Sequence, residues 1–419
     1  MKTLTATSLW RDRQFRTFWS AQGVSEFGDR ITELALPLIA VTLLDASPSE
    51  VGFLTAAVWL PNLASLIIGT WVDRHRDKRP LMIAADLART VLLLTLPAAY
   101  WLDALTLGQL YAIAILAGTA HVVFITAYAS FFVRLVEREQ FLEANSKLSA
   151  TRSISFMAGP AVGGALVQWL TAPVAIVVDA LSFVFSALQI SRLKTAPSEV
   201  DEGVEPLLTR ARAGMRYLLQ HPYLRYSLAC ATTVNFFNLI GMALLVLFAS
   251  RKLGLSAGTI GLAFGVGASG GLLGAVAAPR LSRVFGAGWV IAAGSVVFPG
   301  AMAFVIFAQG PVWVRATALA VGEFVAAFAV MCFDVPLNSL QAAVTHDHMR
   351  SRVAGALTSI NYGVRPLGAV IGGLLGTWLG VRETLLISAA GGLLAVLWLL
   401  PSPILKTQDL NDLEPPTFQ

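Results

Sequence analysis

Residues Val51 to Val72 read VGFLTAAVWLPNLASLIIGTWV and contain no charged side chain. A helix of about 20 apolar residues is long enough to cross the hydrocarbon core of a bilayer. Similar apolar blocks lie at 34–44 and 81–102. Of the 419 residues, 56% are hydrophobic and 13% are charged, whereas about 25% are charged in a typical soluble domain. The composition therefore predicts a membrane protein.

The apolar runs and the breaks between them predict twelve transmembrane helices, and hence an all-α membrane protein. The predicted spans are 17–44, 50–72, 81–102, 106–133, 152–170, 173–192, 226–249, 256–279, 288–308, 312–339, 353–380 and 383–401.

Lysine and arginine side chains are concentrated in alternate connections between these spans. The basic connections carry Arg11, Arg13 and Arg16; Arg74, Arg76, Lys78 and Arg79; Arg134, Arg138 and Lys147; Arg192, Lys194, Arg210, Arg212 and Arg216; Arg280 and Arg283; Arg350 and Arg352. The opposite connections have almost none, with the exceptions Arg251, Lys252, Arg315 and Arg382. Basic loops stay in the cytoplasm, so we expect both termini on the cytoplasmic side of a bacterial inner membrane.

The polar and basic stretch 1–15 runs directly into the first span, so we expect no cleavable signal peptide. The net charge of +5 is explained by topology, so a lipid bilayer and not nucleic acid is the expected partner. Cys230 and Cys332 lie in apolar stretches, where a thiol behaves as a small buried hydrophobe. Neither a disulfide nor a metal site is predicted.

The two halves of the chain are similar. Residues 153–160, SISFMAGP, align with 359–366, SINYGVRP, and residues 47–52 align with 256–261 at nearly the same offset. Such repeats predict two pseudo-symmetric six-helix bundles that rock around a central site. The predicted domains are an N-terminal bundle at 1–190, a cytoplasmic linker at 191–225, a C-terminal bundle at 226–401 and a polar tail at 402–419. Part of the linker, 206–220, could form an amphipathic helix on the membrane face.

The loop between spans two and three reads GTWVDRHRDKRPL over residues 69–81. It resembles the G-x-L-x-D-R-x-G-R-K-x-x-L signature of the major facilitator superfamily. The matching residues are Gly69, Asp73, Arg74, Lys78 and Leu81, and the departures are Trp71, Arg76 and Asp77. Gly69 permits close helix packing, and Asp73 can meet a helix N-terminus or an arginine. We interpret the motif as a gating latch; the alternative is an ordinary basic loop.

Span five contains Gly159, Pro160, Gly163 and Gly164, in a pattern that resembles the G-P-x-x-G-G element of the exporter branch of that superfamily. Small residues let helices touch and proline kinks them, so generic packing is the alternative. Almost the whole chain is similar to the drug and siderophore efflux subgroup, which includes macrolide efflux proteins and enterobactin exporters. The resemblance implies the major facilitator fold and proton antiport out of the cytoplasm, with the proton gradient as energy source and no cofactor.

Span one carries Glu26, Asp29, Arg30 and Glu33 at helical spacing. Each charge at the bilayer centre costs about 2.5–3.5 kcal/mol, so these side chains should face water or each other. We predict Asp29 or Glu33 as the proton carrier, Arg30 as the competing partner and Glu26 nearer the cytoplasmic mouth. A static ion-pair cluster is the alternative.

The repeat offset aligns Glu26 with Asn235 and Asp29 with Asn238 in span seven. Polar residues at equivalent positions suggest a lined substrate cavity with titratable groups in one half only. Arg365 could bind an anionic group or neutralise a nearby acid. An aromatic cavity wall is also possible, formed by Trp59, Phe124, Tyr128, Phe236, Phe237 and Tyr362.

Other charged or titratable residues fall inside predicted spans. Asp86 and Arg89 could pair one turn apart, and Glu323 and Asp334 would place charge in the second half. His121 is either a hydrogen-bonded core residue or a proton relay.

Together these features predict a monomeric secondary transporter, a proton-coupled exporter of small amphiphilic compounds such as drugs or siderophores. An importer or a lysolipid or lipid flippase on the same fold is the alternative. A membrane enzyme is disfavoured. The stretch Gly265-Val-Gly-Ala-Ser-Gly-Gly271 matches nucleotide and hydrolase patterns but lacks their strand-turn-helix setting. No P-loop pattern is present.

Overall fold

The structure is a computed structural model that describes residues 9–193, 207–346, 349–409 and 413. These residues form helices and no β-strand, which confirms the predicted all-α class. The α-helices are α1 (Arg13–Thr42), α2 (Pro48–Trp59), α3 (Ser65–Asp73), α4 (Arg79–Trp101), α5 (Leu107–Leu135), α6 (Phe141–Leu170), α7 (Ala172–Ser191), α8 (Leu207–Gln220), α9 (Pro222–Leu247), α10 (Ala257–Phe285), α11 (Ala287–Gly300), α12 (Met302–Ile306), α13 (Val312–Ala343), α14 (Arg350–Trp378) and α15 (Val381–Leu393).

Nine helical elements within the described ranges are long and apolar enough to cross a membrane, or ten if the bent pair α2 and α3 forms one span. The other two long helices, α1 and α14, contain 30 and 29 residues. At about 1.5 Å per residue they are also long enough to span, although they carry more polar side chains. Each of the twelve predicted spans therefore overlaps a helical element.

The helix ends differ from the apolar boundaries in two instructive places. Helix α6 begins at Phe141, well before the predicted start near 152, because the polar turns that follow Phe141 continue the helix beyond its apolar part. The second span is interrupted by a 3₁₀ turn at Leu60–Ala64. Pro61 lies in this turn and has no N–H to donate to a helical hydrogen bond.

Helix α8 confirms the helix predicted in the linker, whose residues 194–206 lie outside the described part of the chain. Its apolar side is covered by protein. Tyr217 and Leu218 of α8 belong to one buried cluster with Val353 of α14, and a Cβ at Gly214 would collide with the backbone of Arg352. Helix α8 thus packs on the start of α14, and its position at the membrane face remains a prediction.

The chain divides into two compact units. Unit 1 comprises the described residues of Met1–Ile39 and Leu60–Glu202, and unit 2 those of Ala40–Trp59 and Gly203–Gln419. Helix α2 thus belongs to unit 2, where it packs on α14 so closely that a Cβ at Gly52 would meet the backbone of Gly373 at 2.6 Å. The predicted domain boundaries remain a prediction.

Candidate functional site

An ion pair joins two helices inside unit 1. The Arg89 guanidinium on α4 donates a hydrogen bond to the Asp29 carboxylate on α1. The Arg89 side chain is 7% exposed, and its guanidinium carbon lies 3.7 Å from the centre of the Phe183 ring on α7. Three helices therefore hold this one cation, and Asp29 neutralises it.

The neighbouring arginine on α1 serves the other two acids of that helix. Arg30 Nη1 lies 2.6 Å from Glu33 Oε2, and Arg30 Nη2 lies 3.9 Å from Glu26 Oε2. Glu26 also receives a hydrogen bond of 3.3 Å from Arg152 Nε on α6. Arg30 was expected to compete for Asp29 or Glu33. It pairs with Glu33, but Asp29 pairs with Arg89, because adjacent residues of a helix point in different directions.

Asp86 lies on α4 and is fully buried. Among the described residues, neither its carboxylate oxygens nor the nearby buried hydroxyl of Ser186 makes a hydrogen bond of good geometry. The pairing of Asp86 with Arg89 predicted from their spacing is not formed, since Arg89 turns to Asp29. A buried carboxylate without a donor is costly in its charged form, so Asp86 is the most poorly compensated acid of this site.

A third helix brings an acid that the sequence analysis did not single out. Asp179 on α7 is fully buried. It accepts hydrogen bonds from Thr32 Oγ1 of α1 and, at 3.1 Å, from Ser182 Oγ. A Cβ at Gly28 would collide with Asp179 and Ser182, so the glycine allows this contact. An acid in an otherwise apolar span was the available signal.

The glycines of α6 pack directly on the helix that carries these acids. A Cβ at Gly159 would collide with the side chain of Arg30, and one at Gly163 would lie 3.2 Å from Ile31 Cα. Pro160 lies inside α6, and Gly164 is buried. The close helix contact expected of this motif is therefore present. Its assignment to an exporter remains a prediction.

The loop motif between α3 and α4 is held by a buried lysine. Lys78 is 3% exposed, lies 4.0 Å from Asp73 and donates to the Val72 carbonyl at 2.7 Å. Burial lowers the pKa of Lys78, an effect that Asp73 opposes. Asp73 itself is 71% exposed, and Arg74 is exposed. A Cβ at Gly69 would meet only Thr126 at 4.0 Å, so the close packing predicted at Gly69 is not seen.

In unit 2, an arginine side chain is surrounded by aromatic rings. The guanidinium carbon of Arg365 on α14 lies 4.2 Å from the ring centre of Trp59 and 4.3 Å from that of Tyr362. Its Nη2 donates to Asn235 Oδ1 of α9 at 3.2 Å, while its buried Nε has no hydrogen-bond partner in the described part of the chain. No ion pair joins Arg365 to Glu323 or Asp334 within the described residues.

Most of the remaining predicted cavity residues are partly buried in their own units, but Phe124 is 3% exposed and packs in the hydrophobic core of unit 1. Tyr128 stacks on Phe18 with ring centres 5.2 Å apart, and Phe236 meets Phe237 edge to face at 5.3 Å. Asn238 and His121 are half-buried on α9 and α5. Their role as substrate contacts remains a prediction.

Comparisons with known proteins agree with this architecture. Residues 4–418 match the model of a family described as transmembrane secretion effector. The chain is 25% identical to the multidrug efflux pump Tap of Mycolicibacterium fortuitum, over 86% of this chain and 88% of Tap. It is 24% identical to the MFS-type transporter YfiS of Bacillus subtilis, over 88% of each chain.

Solved structures give the same fold. A bacterial homologue of the iron transporter ferroportin in the inward-facing state superposes with a TM-score of 0.71 and 17% identity, over 93% of this chain and 98% of that one. At this identity the similarity concerns the fold alone. With the match along nearly its full length, the chain belongs to the transmembrane secretion effector family and is a multi-pass transporter of the major facilitator type, not an enzyme.

Proposed function

We propose that this transporter is a proton-coupled exporter of small amphiphilic compounds that works by alternating access. The observation that carries the proposal is the Asp29–Arg89 ion pair with the uncompensated Asp86 one turn from Arg89. Removing one partner of a buried ion pair typically costs about 3–5 kcal/mol. Protonation of Asp29 would therefore weaken the packing of α1 against α4.

The coupling step follows from the positions of these three residues. While Asp29 is ionised, it holds Arg89. When Asp29 takes up a proton, that attraction is lost, and Asp86 is the nearest acid on the helix of Arg89. Arg89 would then neutralise Asp86, which gives up its own proton. The charge on Arg89 is thus balanced in both states, so the pair can act as a two-state element.

Helix α6 would transmit this exchange. Its Gly159 and Gly163 touch α1 at Arg30 and Ile31, one and two residues after Asp29. Because the contact leaves no room for a methyl group, α1 and α6 must move together. Arg30, Glu26 and Glu33 would keep the rest of the α1 acids paired during the change.

The substrate class is inferred from unit 2 and from the relatives. Trp59 and Tyr362 flank the Arg365 guanidinium, which offers flat apolar surfaces beside a cation. Such a combination suits an amphiphilic molecule with an aromatic or anionic part. Tap is named a multidrug efflux pump, which favours export over import. We further propose a monomer in the bacterial inner membrane with both termini in the cytoplasm.

The test is ethidium and macrolide accumulation in an efflux-deficient host, with and without a protonophore. The wild type should lower accumulation only while the proton gradient stands, and Asp29→Asn should not lower it. Asp103→Asn is the matched control, because Asp103 is exposed and has a φ of 52°, which asparagine tolerates. Gradient-dependent export by Asp29→Asn would contradict the proposal. If no compound responds, import or lipid transport becomes the better hypothesis.

A further inference from the structure

An apolar groove opens on unit 1 between α1, α6 and α7. Its volume is about 690 Å³, within the range of about 300–1,000 Å³ found for ligand sites. Gly23 and Gly28 of α1 belong to its lining. Its walls are mostly hydrophobic and include Val24, Phe27, Ile31, Ile154, Leu181 and Phe185.

A second cavity of about 330 Å³ continues this groove towards the start of α1. Both are lined by Trp19 and Ser20, so they form one site. The second cavity is polar, with Arg13, Arg16 and Gln189 in its lining. The site therefore has a basic mouth and an apolar body.

The charge at the mouth is strongly positive. Arg13 and Arg16 are exposed and form no ion pair within the described residues. Arg192 donates at 2.8 Å to Oε1 of Gln189, which belongs to the same lining. The one acid beside them on the same helix end is Asp12, which accepts a hydrogen bond from the backbone N–H of Gln14. Arginine side chains therefore outnumber acids around this mouth in the described part of the chain.

Two tryptophans at the mouth indicate its depth in the membrane. Trp10 and Trp19 meet edge to face at 4.9 Å, and Trp19 Nε1 donates to Thr151 Oγ1 of α6 at 2.8 Å. Tryptophan is enriched where a membrane protein crosses the headgroup region. Arginine recognises phosphate through paired N–H donors. A basic mouth at headgroup depth above an apolar groove matches a molecule that has a phosphate at one end and an acyl chain at the other.

We propose that α1, α6 and α7 form a binding site for one anionic phospholipid. Its phosphate would lie against Arg13 and Arg16, and one acyl chain would fill the groove. The chain would contact Val24, Phe27 and Ile31, which alternate along α1 with the acids of the charged cluster. The lipid would thereby brace α1. This inference concerns binding and stands whether or not the transporter is coupled to protons.

The test is native mass spectrometry of the detergent-purified full chain with dioleoyl phosphatidylglycerol or dioleoyl phosphatidylethanolamine. The wild type should bind the anionic lipid more tightly. The double variant Arg13→Gln/Arg16→Gln should bind it about 30-fold more weakly, the factor for two basic residues near a headgroup. Arg280→Gln/Arg283→Gln is the matched control, because these exposed arginines belong to α10 of unit 2 and line neither cavity, and its affinity should not change.

A separate variant tests the proposed binding of an acyl chain in the groove. Val178 lines the groove, so Val178→Trp should fill it and weaken phosphatidylglycerol binding several-fold. Equal binding of the two lipids by the wild type, or unchanged binding by the arginine double variant, would overturn the proposal. So would displacement of the lipid by inorganic phosphate without any effect of Val178→Trp, because the site would then bind only an anion. The wild-type lipid comparison does not depend on the folding of any variant.

Discussion

The two units differ in the groups that surround their buried arginine side chains. In unit 1, Arg89 and Arg30 are neutralised by acids on α1, and the acids sit close to further acids on α4 and α7. In unit 2, Arg365 lies between two aromatic rings and is bonded to the neutral side chain of Asn235. Neutralised pairs can exchange protons, whereas a cation held by rings and an amide cannot pass one on. We therefore propose that proton coupling belongs to unit 1 and substrate recognition to unit 2.

The largest expected difference is between the two central arginines. Arg89→Gln leaves Asp29 and Asp86 buried without a cation, so it should destabilise the protein by about 3–5 kcal/mol. Arg365→Gln loses mainly cation–π contacts and should cost about 2 kcal/mol. Denaturant titration in mixed micelles measures both. The double variant Asp29→Asn/Arg89→Gln should recover most of the loss, and equal losses for the two single variants would remove the contrast.

A smaller effect is expected at the helix contact that carries the unit 1 cluster. Gly159→Ala places a methyl group against Arg30 and should cost about 1–3 kcal/mol. The aligned position of unit 2 is occupied by Arg365, so the glycine is a requirement of unit 1 only. Gly69→Ala is the control, because Gly69 has room for a Cβ, and it should stabilise the helix by about 0.5–1 kcal/mol. The same titration gives both values, and a harmless Gly159→Ala would show that α1 and α6 can separate.

The smallest expected effect is on the pH dependence of the folding stability. Burial, together with the neighbouring His346, lowers the pKa of His221, which precedes α9 in unit 2. The unfolded chain therefore binds this proton more readily, so stability should rise as pH increases through the window below 6.5 and be lost as pH falls. His221→Gln should flatten that rise in thermal unfolding measured from pH 5 to 7. An unchanged slope would assign the acid sensitivity to other groups, the acids of unit 1 among them.

The fold was predictable because it depends on patterns within single segments. Each of the twelve apolar runs overlaps a helical element of the described chain, and the amphipathic pattern at 206–220 located α8. The ends were less predictable, because hydropathy marks the apolar part of a helix such as α6 and not the point where its hydrogen bonds begin.

The site was predictable in composition but not in pairing. The acids of α1 were visible as charges inside a span, and they do lie together. The partner of Asp29 could not be predicted, because it is Arg89 on another helix. The nearest arginine in sequence, Arg30, pairs with Glu33 instead. Asp179 was overlooked for the same reason: its partner Thr32 becomes visible only when α1 and α7 touch at Gly28.

The most direct measurement is ethidium transport into proteoliposomes with an imposed pH gradient, comparing the wild type with Asp29→Asn and Asp334→Asn. These two substitutions remove one acid from each unit. Gradient-driven transport should be lost in Asp29→Asn and retained in Asp334→Asn. Gradient-driven transport retained by Asp29→Asn and lost in Asp334→Asn would contradict this prediction and move the coupling site to unit 2.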